Sequence, residues 1–307
     1  MNEKTKVASL SILSNSSLIT MKLIVGIITG SVSIISEAIH STIDLAASLI
    51  SFFSVKISSK PADAEHPYGH GKFEDVSGVI EAILIFIASI WIIAEAVDKL
   101  IFPKHINPSS TGFIVMFVSS FINFLVSRKL YKVAKEKDSM ALEADALHLK
   151  TDVYTSLGVG IGLFLIWITK LEYLDPVIAI LVSLFILKEA FSLLKSAFAP
   201  LVDVKLSDNE IKTIKYIITK YNSGFCGFHR LRTRKSGDKR YVDLHLVFPQ
   251  DMHVKDAHDI CDKIENKLSK CIKNTETMIH IESCNNDCSN CKFKEISACK
   301  NEVKKSG

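Results

Sequence analysis

Residues 36–49 read SEAIHSTIDLAASL and residues 144–157 read ADALHLKTDVYTSL. The two align without a gap on the pattern (Glu/Asp)-Ala-x-His-x-x-x-Asp. Helical residues four apart lie one above the other on a single face, so His40 stands over Asp44 and His148 over Asp152. Two such helices facing each other supply two ring nitrogens and two carboxylate oxygens, the set that closes a tetrahedral site for a borderline ion such as Zn2+. Glu37 and Asp145 precede the histidines by three residues, within reach of the same face, as groups to orient the rings or relay protons. Plain packing would be better served by apolar side chains at the four ligand positions, because an ionisable group deep in an apolar span costs several kcal/mol.

Both repeats sit inside a series of apolar runs. Six runs approach the roughly 20 apolar residues that a bilayer-spanning helix needs, near 7–29, 31–57, 76–101, 111–133, 139–169 and 173–196. Breaks are expected at Gly30, at Lys60-Pro61, from Pro103 to Pro108, along the basic run Arg128 to Lys137, and from Lys170 to Asp175 before Pro176. The first run is not a cleaved signal peptide, since Ser14, Asn15, Ser16, Ser17 and Lys22 interrupt it and no small-residue cleavage site follows.

Composition points the same way. A mean hydropathy of +0.25 is too apolar for an ordinary soluble domain. The 37 Lys+Arg against 33 Asp+Glu are too balanced for a chain whose partner is nucleic acid. With the N-terminus inside, Lys4, Lys6, Lys56, Lys60, Lys72, Arg128, Lys129, Lys132, Lys135 and Lys137 fall on inner flanks, and only Lys99, Lys104 and Lys170 on outer ones. The expectation is a multi-pass protein of the cell (plasma) membrane, in contact with lipid, with both termini cytoplasmic. Seven cysteines cannot pair completely within one chain, and reduced thiols suit a cytosolic tail.

After Pro200 the apolar runs shorten and charges become frequent. Three parts follow from this change, a six-helix transmembrane domain over 1–202, a small soluble domain over 203–283 and a cysteine-rich tail over 284–307. The soluble domain has an αββαβ order. Ile211, Ile214, Ile217 and Ile218 mark a helix face, Phe225 to Arg234 and Arg240 to Phe248 read as strands around Ser236-Gly237-Asp238, a helix covers about 254–272, and Thr277 to Glu282 reads as the last strand.

Three further clusters carry metal-ligand chemistry. Asp63, His66 and His70 fall within eight residues of the loop PADAEHPYGHGKFE, where Gly69 and Gly71 permit the tight path that brings the imidazoles together. In the soluble domain, strand alternation puts Val242, Leu244, Leu246 and Phe248 on one face and Asp243 and His245 on the other. The last strand likewise turns Ile279 and Ile281 inward and His280 and Glu282 outward, and His229 and His258 are candidates to join them. In the tail, Cys284, Cys288, Cys291 and Cys299 have the spacing C-x3-C-x2-C-x7-C, which suits zinc, an iron–sulfur cluster or a free reduced tail. Cys261 and Cys271 lie on the second soluble helix as packing residues, and the basic run RLRTRKSGDKR is a solvated face near lipid headgroups.

Together these residues resemble the cation diffusion facilitator family of metal/proton antiporters, from about residue 7 to residue 283. The family's paired motifs match His40, Asp44, His148 and Asp152, and its loop site matches Asp63, His66 and His70. Its cytosolic binuclear site is similar to His229, His245, His280 and Glu282, with His258 a further candidate and a glutamate where some members have aspartate. The family's charge interlock beneath the membrane would fall on Lys72 and Asp203. The resemblance implies a homodimer, six spans per protomer, a ferredoxin-like or metallochaperone-like cytosolic domain, protons as the counter-ion, and zinc as both substrate and structural or regulatory ion. A His-Asp/His-Asp tetrad resembles the zinc-selective version, whereas aspartate in place of the first histidine accompanies broader use of cadmium or iron.

The function expected is a Zn2+/H+ antiporter exporting zinc from the cytoplasm. The alternatives are an exporter of another divalent ion (Cd, Co, Fe or Mn) and a metal-sensing membrane protein. A membrane metalloenzyme fits poorly, since a catalytic zinc keeps one position open for water and four protein ligands leave none.

Overall fold

Long apolar runs without interior proline fold as helices, because a helix satisfies its own backbone hydrogen bonds where water is absent. The computed structural model describes residues 3–29, 32–102, 110–169, 173–220 and 224–284, and within the helices leaves some side chains, including those of Glu37 and His40, undescribed. The expected breaks at Gly30 and from Pro103 to Pro108, together with Lys170, lie outside the described residues. Two compact units divide the chain, 1–201 and 202–307.

The first unit holds α1 (Glu3–Thr29), α2 (Val32–Ser58), α3 (Lys72–Ile101), α4 (Ser110–Lys137), α5 (Met140–Thr169) and α6 (Leu174–Phe198). By length and composition, three helices among the described residues are apolar enough to cross a membrane, over Glu3–Ile28, Lys72–Ile101 and Pro176–Val202. That falls short of the six runs expected from the sequence. Glu37, His40 and Asp44 interrupt α2, the basic run ends α4, and Glu143, Asp145, His148, Lys150 and Asp152 fill the first half of α5. The basic run also differs from its expected role as a break, since α4 continues through it to Lys137. Lys and Arg are good helix formers, and the chain turns instead at Asp138, whose φ is 53°.

Helix α1 packs on α2, α4 on α5, and α3 on α6. The polar residues of α1 form a buried stripe against α2. Asn15 Nδ2 donates to Ser48 Oγ at 2.7 Å, Ser11 and Ser48 share a hydrogen bond of 2.9 Å, and Lys22 Nζ donates to Ser41 Oγ at 2.7 Å. At one end Lys4 of α1 forms a buried ion pair with Glu74 of α3 at 3.0 Å, and Ser58 and Ser139 also donate to Glu74. Large apolar side chains such as Ile28, Trp91, Phe117 and Leu181 point outward, as a lipid-facing surface requires.

The second unit contains α7 (Asp208–Lys220), β1 (Gly227–Ser236), β2 (Lys239–Phe248), α8 (Val254–Cys271) and β3 (Thr275–Ser283), the αββαβ order. Ser207 and Glu210 cap α7 reciprocally. Ser207 N donates to Glu210 Oε2 at 3.0 Å and Glu210 N to Ser207 Oγ at 3.3 Å. Central β2 pairs antiparallel with β1 and parallel with β3, and α8 supplies the crossover. The hairpin turns at Gly237, whose φ of 58° suits a residue without Cβ. Helices and sheet enclose Ile214, Ile218, Val242, Leu244, Leu246, Ile264 and Leu268. Ile281 departs from its expected inward position and is 38% exposed, while Ile279 packs against the core. An edge strand covered on one side by a single helix leaves one end of its inner row uncovered.

Candidate metal centres

Asp44, His148 and Asp152 each offer a ligand atom, and these atoms lie within 4.8 Å of one another. The first comes from α2 and the other two from α5, one turn apart. Asp44 Oδ1 lies 3.1 Å from His148 Nε2. A tetrahedral ion with bonds near 2.0–2.1 Å separates its donors by about 3.3 Å, so this edge fits with little movement. The backbone places His40 one turn before Asp44 on α2, with its side chain outside the described residues, as is that of Glu37.

Two supports around this trio carry no signature in the sequence. Asn123 of α4 donates to Asp152 Oδ2 at 3.4 Å, and Asn15 of α1 reaches the Asp44 carbonyl at 3.4 Å. Both partners lie in other helices, so only tertiary packing reveals them. Asp145 is fully buried, but its hydrogen bonds come from Ser11 at 3.2 Å and Ser48 at 3.1 Å rather than from the His148 ring. The expectation that it orients that ring is therefore corrected. The serines of the α1 and α2 stripe hold it instead.

In the loop before α3, Asp63, His66 and His70 also bring ligand atoms within 4.8 Å. Asp63 Oδ1 accepts from the backbone N–H of His66 at 2.7 Å and lies 3.4 Å from His66 Nδ1, while Oδ2 lies 3.3 Å from His70 Nε2. Gly69, at φ 84°, folds the chain back so that the two rings stand 4.4 Å apart. The His66 amide, followed by the neighbouring imidazoles, holds the Asp63 carboxyl below the usual carboxylate range, so it stays an anionic ligand.

The cytosolic cluster is built by strand register. His229 pairs across to His245, and His245 pairs across to His280, so one histidine from each strand forms a row over the sheet. The rings lie 5.1 and 4.7 Å apart. A bulge follows His229, where Arg230 takes φ 52° and the β1 register shifts before Arg232. Glu282 bridges the row, with Oε1 2.6 Å from His245 Nδ1 and Oε2 2.7 Å from His229 Nε2. Hydrogen bonds to His245 and then His229 lower its carboxyl below the ordinary range. His229, His245 and Glu282 form the compact trio, and His280 stands at its edge, 4.0 Å from Glu282.

His258 does not join it. Exposed on α8, it pairs with Asp262 one turn along at 3.7 Å, because a helix position facing solvent cannot reach the sheet row. Cys261 packs into the core, and burial pushes its thiol up to about 11. Cys284 packs beside Cys226 and Val247, while Cys288, Cys291 and Cys299 lie outside the described residues. Lys72 opens α3 in the first unit. Asp203 belongs to the second, where its Oδ1 lies 3.8 Å from Arg234.

The chain matches the cation efflux transmembrane domain over residues 8–202 and the cation efflux protein cytoplasmic domain over residues 206–284. It is 34% identical over 255 residues to the uncharacterized transporter sll1263 of Synechocystis sp., covering 83% of this chain and 82% of that protein. Against the cation-efflux pump FieF of Yersinia pestis (strain Pestoides F) it is 32% identical over 256 residues, covering 83% and 85% respectively. A solved zinc-form structure of CzrB is 27% identical, with a TM-score of 0.25, covering 26% of this chain and 90% of that one.

Proposed function

The chain belongs to the cation diffusion facilitator family, and on that premise we propose that it exports a divalent metal cation, Zn2+, from the cytoplasm in exchange for protons. The family is one of membrane transporters and not of enzymes, and its cytoplasmic domain indicates dimerisation. In this reading the active unit is a homodimer in the plasma membrane with six spans per protomer and both termini cytoplasmic.

The observation that carries the proposal is the convergence of Asp44, His148 and Asp152 from two helices inside a membrane domain. His40 completes the tetrad. Imidazole and carboxylate ligate only when deprotonated, so protons and metal compete for the same atoms. Loading from the cytoplasm displaces protons, and protonation from the opposite side displaces the ion. Asn123 keeps Asp152 turned into the site. Glu37 and Asp145 relay protons to it.

The other clusters serve this cycle. Asp63, His66 and His70 form a surface site at the loop, and His229, His245, His280 and Glu282 bind zinc as a structural or regulatory ion. The tail cysteines are accessory ligands. The test is zinc flux in proteoliposomes at a fixed zinc gradient, with the pH difference set to zero or to either sign and internal pH recorded. Flux should accelerate when protons run against the metal. Flux indifferent to the pH difference, without counter-movement of protons, leaves a uniporter. Cadmium, cobalt, iron or manganese moving in preference to zinc leaves an exporter of another ion.

A further inference from the structure

Glu81 is a buried charged side chain of the membrane unit that the proposed metal chemistry does not use. It sits in the interior of α3, a helix that contributes to none of the clusters above. Its exposure is 0%, and neither carboxylate oxygen has a hydrogen-bond partner among the described residues. An isolated carboxylate in such surroundings is among the costliest groups a protein can hold. A structural polar group is normally satisfied, so packing alone does not explain it.

Its surroundings are tightly drawn. One turn earlier, Gly78 brings α3 so close to its neighbours that a Cβ there would lie 2.6 Å from Met140 Cγ of α5 and 3.1 Å from Ala197 Cβ of α6. Ala82, Ile85, Ala144, Ile186 and Ala190 of the same three helices form the apolar cluster around this contact. Among the described residues, the one charged group that acts on Glu81 is Asp145 of α5, and neither α6 nor α2 sends another. Asp145 Oδ1 accepts from Ser11 and Ser48, and its Oδ2 has no hydrogen-bond partner among the described residues.

A buried carboxyl group without a hydrogen-bond partner, within reach of a second carboxyl's charge, resists ionisation. We infer that Glu81, buried without a hydrogen-bond partner where α3, α5 and α6 pack together, is a proton-binding site separate from the metal ligands and carries counter-ion through the transport cycle. A proton from water on the entry side adds to a Glu81 oxygen and gives the neutral carboxylic acid. When the site opens to the cytoplasm the O–H bond breaks and the proton returns to water there, leaving the carboxylate. No ligand of the metal changes its proton in this step. The device therefore lets the α3–α6 pair respond to protons while α2 and α5 hold the ion.

The inference rests on the antiport reading, and the experiment separates the two. Full-length wild type, Glu81→Gln and Glu81→Asp are reconstituted, zinc flux and internal pH are recorded under a pH difference, and zinc binding is measured on the solubilised protein. Glu81→Gln should bind zinc within about twofold of wild type and move about one proton fewer per ion, with a correspondingly weaker response to the pH difference. Glu81→Asp should restore the coupling. An unchanged proton count in Glu81→Gln overturns the role of Glu81 while leaving antiport intact, whereas a wild type without proton movement removes the antiport reading itself. Infrared spectra decide the matter should Glu81→Gln not fold. Wild type should show a protonated-carboxyl C=O band that shifts in Glu81→Asp, and absence of that band overturns the inference.

Discussion

The intramembrane trio and the cytosolic row use the same chemistry, imidazole with carboxylate, on opposite scaffolds. Asp44, His148 and Asp152 are held by helix spacing inside a buried bundle, with amide supports from α1 and α4. His229, His245 and Glu282 are held by strand register on a half-exposed sheet face, with solvent as the main competitor for their hydrogen bonds. The first arrangement cannot lose a member without stranding a buried charge. The second can, because water replaces what is lost. On the function proposed above, the difference matches cargo carried through a low-dielectric interior against an ion that adjusts a soluble domain.

The largest effect should come from the buried side. Asp44→Ala or Asp152→Ala should lower zinc flux by more than about 100-fold, beyond the range for residues that merely support ligands. Dimer elution in size-exclusion chromatography should be unchanged. A mutant transporting within tenfold of wild type would remove the helix-spacing half of the comparison.

An intermediate effect is expected one layer out. Asn123→Ala leaves all four ligands but frees the Asp152 carboxylate, and metal affinity should weaken by about 10-fold. Calorimetric titration on protein whose cytosolic ligands have been replaced reads this directly, and an unchanged affinity would mean that the 3.4 Å contact does not orient the ligand.

On the exposed side, Glu282→Gln should weaken zinc-dependent protection of the β2 and β3 amides in hydrogen exchange by about 10-fold in zinc concentration, with residual binding through the histidines. Acid provides a second reading. The folded Glu282 carboxyl titrates below its unfolded value, so its contribution to stability is complete above the unfolded value near about 4.3 and is lost as pH falls through the lower, folded one. Metal-free protection of these strands should therefore show an acid-sensitive limb in wild type that Glu282→Gln lacks. Identical acid profiles would break the assignment of Glu282 as the bridge.

The smallest effect belongs to His258. Its partner is Asp262 on its own helix, and His258→Ala should leave the zinc dependence of protection unchanged within about twofold. A tenfold loss would show that α8 reaches the sheet row after all.

How much of this was legible follows from the range of the interactions. The His-x-x-x-Asp repeat is local, so spacing alone set His148 and Asp152 on one face of α5. The αββαβ order and the alternation of β2 were equally readable, since Val242, Leu244 and Leu246 face inward by period two. The alignment of His229 with His245 depends on cross-strand register and on the bulge at Arg230, which periodicity does not encode. His258 lies outside the row because nearness in sequence is not nearness in space. The basic run of α4 reads as a break because charge marks an interface, whereas lysine and arginine favour helix. Asn123, Asn15 and Glu81 gave no signal at all, since their significance comes from helices far away in sequence.

The central claim is that the ion travels through the α2–α5 site, and it is tested most directly by the initial rate of zinc flux in proteoliposomes containing Asp152→Ala. Zinc-dependent protection of the cytosolic strands, followed in the same preparation, reports that the protein is folded. The account predicts flux at the level of protein-free vesicles together with wild-type protection of β2 and β3. Flux at the wild-type rate with that protection intact would contradict it.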